Sequence, residues 1–122
     1  MEERLLALRG ATTCAVDTVD EIDAKTQVLV QAMLDRNEVE HEDIVSIIFT
    51  ATDDLTSQFP ATAARALGLG DVPLICAREL GIEGGMPMAI RVLMHLYTTR
   101  RRDELHHVYL EGAKTLRDDL PE

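Results

Sequence analysis

Residues 88–97 read Met88-Ala-Ile-Arg91-Val-Leu-Met-His-Leu-Tyr97, an apolar run of strand length broken by one guanidinium. Two-residue alternation puts Met88, Ile90, Val92, Met94 and Leu96 on one face, and Ala89, Arg91, Leu93, His95 and Tyr97 on the other. The first set is a core face. The second carries a permanent cation in a chain of net charge -10. Guanidinium is planar, always charged and able to grip a carboxylate or oxyanion with several donors at once. If this face looks into a pocket, the pocket suits a small anion. Taken alone, the strand favours the plainer reading of a solvated face, because antiparallel sheets commonly wet one side.

Working outward, Gly81 and Gly84-Gly85 form the turn before this strand, and Val72-Pro-Leu-Ile-Cys-Ala77 is a strand upstream of it. Pro73 assigns the start of that strand to an edge or bulge. Ile44 to Ala51 is β-branched and almost continuously apolar, which predicts a strand buried on both faces. Leu5 to Leu8 is a first short strand, closed by Arg9-Gly10, and His106 to Leu110 is the last, with Ala113 to Leu116 a short continuation. Thr18-x-x-Glu21 is a capping box opening a long amphipathic helix, with Ile22, Thr26, Leu29, Val30 and Met33 inward and Asn37 at its stop. Phe59-Pro60 opens a short alanine-rich helix that ends at Gly68 or Gly70.

Five strands and two helices in non-alternating order predict an α+β fold, a mixed five-stranded sheet with the two main helices on one face. The whole chain, 1–122, reads as one domain, with a frayed acidic tail from about residue 117. Two helices cover one face of such a sheet. The other face, which includes apolar positions, needs a partner, and homo-oligomerisation is the natural consequence.

The charge balance, 12 basic against 22 acidic residues, argues against nucleic-acid or anionic-membrane partners, which need a basic footprint. An anion site here must be a local cluster of arginines working against the overall field. Aromatic residues are only 3%, so the core is aliphatic. Cys14 and Cys76 form no CxxC pattern, which points to a reduced, intracellular protein. The charged start Met1-Glu-Glu-Arg4 opens no signal peptide, and no apolar run has the length of a membrane span. The expectation is a soluble, cytoplasmic protein.

The sequence carries no GxGxxG, P-loop or GxSxG motif and no His/Cys cluster at zinc spacing. His106 and His107, adjacent on a strand, point to opposite faces and read as structural or solvated. Arg100-Arg101-Arg102 reads as a solvated turn. What remains is Arg9, Arg65, Arg91 and Arg117, with Glu79, Tyr109, Cys76 and Phe59. Singly, each is an ordinary surface or core residue.

In order, they form a pattern. Arg9-Gly-Ala-Thr-Thr13 is followed by Thr52-x-Asp-Leu-x-x-x-Phe59-Pro-Ala61 with Arg65 beyond, and then by Val72-Pro-x-x-Cys76-x-x-Glu79. Gly84-Gly85 with Ile90-Arg91-Val92 comes next, then His107-Val-Tyr109-Leu110 with Leu116-Arg117-x-Asp-Leu120. Across essentially the whole chain this resembles the monofunctional chorismate mutases of the trimeric, pseudo-α/β-barrel (Bacillus) type. The resemblance implies an isomerase of the shikimate pathway to phenylalanine and tyrosine, rearranging chorismate to prephenate by a pericyclic [3,3] shift. It implies no cofactor and no metal, and a homotrimer whose sheets pack around the trimer axis with active sites between subunits.

By the same resemblance, Arg91 donates to the ether oxygen, Arg9 and Tyr109 hold a carboxylate, and Cys76 is a neighbouring donor. Glu79 accepts from the ring hydroxyl and orients Arg91. Phe59, Ala61, Leu116 and Arg65 wall or flank the pocket, and Arg117 lies near its mouth. Cys76 and Glu79 are an odd offset apart, so either the strand kinks between them or they serve different pockets. Thr62 stands where some relatives carry lysine, and Asp118 replaces the usual proline, which implies weaker substrate capture more than slower chemistry. The alternatives are a trimeric imine/enamine deaminase, which also uses an interface arginine, and a non-catalytic trimer that binds a small carboxylate.

Overall fold

The computed structural model describes residues 2–115. In chain order its elements are β1 (Arg4–Thr13), α1 (Val19–Arg36), β2 (Ile44–Ala51), α2 (Pro60–Ala64), β3 (Leu74–Arg78), β4 (Ala89–Thr98) and β5 (Val108–Tyr109). The strands form one mixed sheet in the order β3-β2-β4-β1-β5. β4 runs antiparallel to both neighbours, β1 and β2, while the outer strands β5 and β3 lie parallel to theirs. The predicted α+β class, strand number and main helices are all present. The residues 116–122, including the predicted tail, lie outside the described residues.

α1 begins at the predicted Thr18, but only half of the predicted box forms. Thr18 Oγ1 accepts the Glu21 N–H at 3.1 Å, while the Glu21 carboxylate reaches further back, to the Ala15 N–H at 2.7 Å. Its buried residues are Ile22, Thr26, Leu29, Val30 and Met33, the inward face read from the sequence. The helix stops at Asn37, and the means is the buried side chain. Asn37 Nδ2 donates to the Met33 and His106 carbonyls, both at 2.9 Å, and Oδ1 accepts the His106 N–H at 2.7 Å. One amide ends a helix and pins the segment leading into β5.

Three expectations are corrected. β1 does not close at Arg9-Gly10 but runs on to Thr13. Gly10 sits mid-strand because a Cβ there would fall 2.5 Å from Met33 Sδ and 3.2 Å from Leu29 Cδ1. The glycine lets α1 lie close on the sheet. β2 is buried on one face of the chain only, with Ile47, Phe49 and Ala51 covered and Ile48 and Thr50 half-buried on the other. Its continuous apolar run reflects a second face that the helices do not reach. β5 is two residues long, and Glu111–Thr115 is a 3-10 turn rather than a strand continuation.

β3 takes the edge position that Pro73 predicted, and the Pro73 carbonyl still accepts the Ile47 N–H at 3.0 Å. The main core gathers Leu8, Leu29, Val30, Met33, Ile47, Phe49, Val92, Met94 and Leu96 between sheet and helices. Among the described residues no helix covers the opposite face of the sheet, where Leu5, Ile75 and Tyr97 are about half or more exposed.

Candidate active site

Strand register builds the site. One line of partners crosses the sheet from Ala77 to Thr50, Arg91, Ala11 and Tyr109. The next line carries Ile75, Ile48, Leu93 and Arg9. Alternation turns both lines toward the uncovered face. Because Ala11 is small, it leaves room between the long side chains on either side. The result is a cavity of about 290 Å³ lined by Arg9, Ala11, Ile48, Thr50, Glu79, Arg91, Leu93 and Tyr109. Its size is near the lower end for small-ligand sites.

Arg91 therefore stands over a hollow on the face opposite the helices. Its Nε lies 3.4 Å from Glu79 Oε2, with Arg91 half-exposed and Glu79 more deeply set. The same carboxylate oxygen accepts the Thr50 hydroxyl, and the Glu79 N–H donates to the Ala51 carbonyl at 3.0 Å. Glu79 is thus fixed by backbone and side chain, and it fixes one edge of the guanidinium in turn. The remaining guanidinium edge can meet a ligand. Arg9, in the same cavity, makes no ion pair among the described residues. Two cations against one carboxylate give this hollow a local positive balance in an acidic protein.

The parity question about Cys76 and Glu79 resolves without a kink. β3 is regular to Arg78, and Cys76 pairs with Phe49 while Arg78 pairs with Ala51. Cys76 opens instead onto a separate hollow on the chain, with Phe59, Pro60, Thr56, Ser57 and Arg78. Phe59 is 69% exposed there. The loop that carries it is held firmly. Asp17 Oδ1 accepts the N–H groups of Thr56 and Ser57, both at 3.0 Å, and Oδ2 accepts the Thr56 hydroxyl at 2.9 Å. Desolvation pushes the Asp17 pKa up, but these donors outweigh it and hold the carboxyl below its ordinary value. Arg78 adds two bonds to the carbonyls of Thr52 and Leu55, at 2.7 and 3.1 Å.

The structure thus brings Arg9, Glu79, Arg91 and Tyr109 together and sets Cys76 and Phe59 in a second hollow. Ala61 is buried in the core, and Arg65 is exposed on the turn after α2, with Nη1 3.5 Å from Thr62 Oγ1. Neither lines either cavity. Leu116 and Arg117 lie outside the described residues. Thr50 was not singled out in the sequence and becomes visible only through register with Arg91. His107, read as structural or solvated, is buried, and its Nδ1 accepts the Arg9 backbone N–H at 2.9 Å.

The fold is that of a chorismate mutase: residues 5–120 match the family model described as chorismate mutase type I, and the chain belongs to that family. It is 45% identical over 114 residues to the chorismate mutase AroH of Thermus thermophilus, covering 93% of both chains. It is 42% identical over 114 residues to the chorismate mutase AroH of Bacillus subtilis (strain 168), covering 93% of this chain and 90% of that one. A solved chorismate mutase from Clostridium thermocellum superposes with a TM-score of 0.88 at 47% identity, over 89% of this chain and 97% of its own. These relatives set aside the deaminase alternative.

Proposed function

We propose that the protein converts chorismate to prephenate, in phenylalanine and tyrosine biosynthesis in the cytoplasm, as a single-domain homotrimer with active sites between subunits. The observation that carries the reading is Arg91, held at one edge by Glu79, beside Arg9 in one small cavity. The reaction breaks a C–O bond and forms a C–C bond in one pericyclic step, with no nucleophile and no proton transfer. It needs a dianion held in its compact conformer and stabilisation of charge on the departing ether oxygen.

In this reading Arg91 donates to the ether oxygen, where negative charge grows. Glu79 fixes the guanidinium and accepts from the ring hydroxyl. Arg9 and Tyr109 hold a carboxylate. Phe59, Cys76, Ala61, Arg65, Leu116 and Arg117 complete or flank the wall. Support for a site between chains comes from the two separate hollows of one chain, since a second copy is needed to bring them together. The uncovered sheet face with Leu5, Ile75 and Tyr97 supports oligomerisation.

The test is the loss of chorismate absorbance with purified protein, alongside its mass by light scattering. Decay at only the spontaneous rate by a folded trimer would sink the proposal. Mixing Arg91→Ala subunits with Phe59→Ala subunits tests where the site lies. Activity should reappear in mixed trimers, and none reappearing counts against a shared site.

A further inference from the structure

We infer that His107 is a positioning residue for Arg9: its neutral imidazole, with the proton on Nε2, holds the backbone from which the Arg9 guanidinium reaches the cavity. The inference rests on the proposed role of Arg9 as a ligand for a substrate carboxylate.

The reasoning begins with the short β5. Only Gly10 and Ala11 of β1 have partners there, Val108 and Tyr109, and the Leu110 N–H donates to the Ala11 carbonyl at 2.9 Å. Arg9 lies one residue before this ladder begins. On that side its N–H meets the imidazole of His107, with Nδ1 at 2.9 Å, in place of a strand carbonyl. A side chain thus extends the β1–β5 pairing by one rung, at the residue that carries a site cation.

The chemistry of the bond fixes the state of the ring. A backbone N–H can only donate, so Nδ1 must accept, and a neutral ring then carries its proton on Nε2. A charged imidazole, or the other tautomer, would set two N–H groups face to face. His107 is only 7% exposed, so water is a poor substitute for the lost acceptor. The segment before the ring is itself anchored by Asn37, which bonds both the N–H and the carbonyl of His106. The acceptor is therefore presented from a fixed frame.

The test uses four variants in the full chain, assayed for chorismate turnover: His107→Ala, His107→Asn, Arg9→Ala and the double Arg9→Ala/His107→Ala. Misplacing a binding group by a fraction of an ångström to an ångström costs up to about 100-fold, so His107→Ala should lower kcat/KM by roughly 10- to 100-fold. The loss should fall mainly on KM, because Arg9 grips a carboxylate present in ground and transition states alike. Asparagine places an oxygen near the position of Nδ1 and should restore most of the loss. In the Arg9→Ala background, His107→Ala should add little, since both act through one group.

An unaffected His107→Ala, an asparagine variant as impaired as alanine, or additive losses in the double variant would each overturn the inference. Unchanged kinetics in Arg9→Ala would instead overturn the assignment of Arg9. If His107→Ala does not fold, nitrogen-15 spectroscopy of the wild-type imidazoles decides. An unprotonated Nδ1 on His107 at the pH of activity is expected, and a protonated Nδ1 there overturns the inference.

Discussion

The two faces of β4 differ sharply in burial and in charge. Ile90, Val92, Met94 and Leu96 are sealed beneath the helices, each 3% exposed or less. Arg91, Leu93, His95 and Tyr97 point the other way, onto a face that no helix covers among the described residues. The same ten residues therefore carry two kinds of information. The inward face supplies apolar burial and should tolerate best the hydrophobic changes that preserve volume. The outward face contributes less to folding, and its arrangement of charge is what distinguishes this protein from another α+β sheet.

That contrast predicts separable losses. Arg91→Ala should reduce kcat by at least about 100- to 1,000-fold, the usual cost of removing one preorganised donor to a developing oxyanion. Lysine should not rescue it, because a point charge cannot serve the ligand and Glu79 together. Stability should move by only about 0.5 kcal/mol, as for exposed substitutions generally. Chorismate kinetics and urea unfolding on the same samples check both halves. A variant that unfolds would erase the division between the faces.

Met94→Ala, three residues further along β4 and on its opposite face, should do the reverse. Truncating a fully buried methionine costs about 2–5 kcal/mol of stability, read as a lower urea midpoint, with turnover per folded molecule kept. A collapse of kcat without loss of stability would mean that the two faces are coupled through the strand.

Gly10→Ala probes the same inner surface from β1. The added methyl meets Met33 Sδ, the far part of a flexible side chain, so α1 need not be driven off the sheet. Destabilisation near the low end for overpacking, about 1 kcal/mol, is expected, again by denaturation midpoint. The smallest effect concerns Cys14. Burial, with the nearby Glu21 carboxylate adding to it, pushes its thiol pKa up to about 11. Above that value the thiolate forms, so at pH 8 the folded protein should keep Cys14 protonated and unlabelled by alkylating reagents, as mass spectrometry would show. Rapid labelling of Cys14 in the native state would break this expectation.

Much of the inward face was legible in the sequence. The five inward residues of α1 follow from a 3.6-residue period, and the β4 core face follows from a period of two. Thr18 and Asn37 mark the helix ends because their side chains can satisfy backbone groups that the helix leaves open. Pro73 marks an edge because it has no N–H to give a central ladder. Boundaries were less legible where a residue has two meanings. Gly10 looked like a strand terminator, but it serves close helix packing, and only the position of Met33 distinguishes these.

For the candidate site, the sequence by itself supplied the candidates, Arg9, Glu79, Arg91 and Tyr109 among them, in an acidic chain with a few arginines in strands and a sheet expected to have one face left to a partner. Tertiary structure decided who meets whom. Register, a relation between distant segments, put Thr50 and Ala11 on either side of Arg91 and sent Cys76 and Glu79 to different hollows. It also brought His107 to the backbone of Arg9, 98 residues away in the chain. Local periodicity fixes which way a side chain points along its own strand. Which partner it finds is set by pairing across the sheet, and no single segment contains that information.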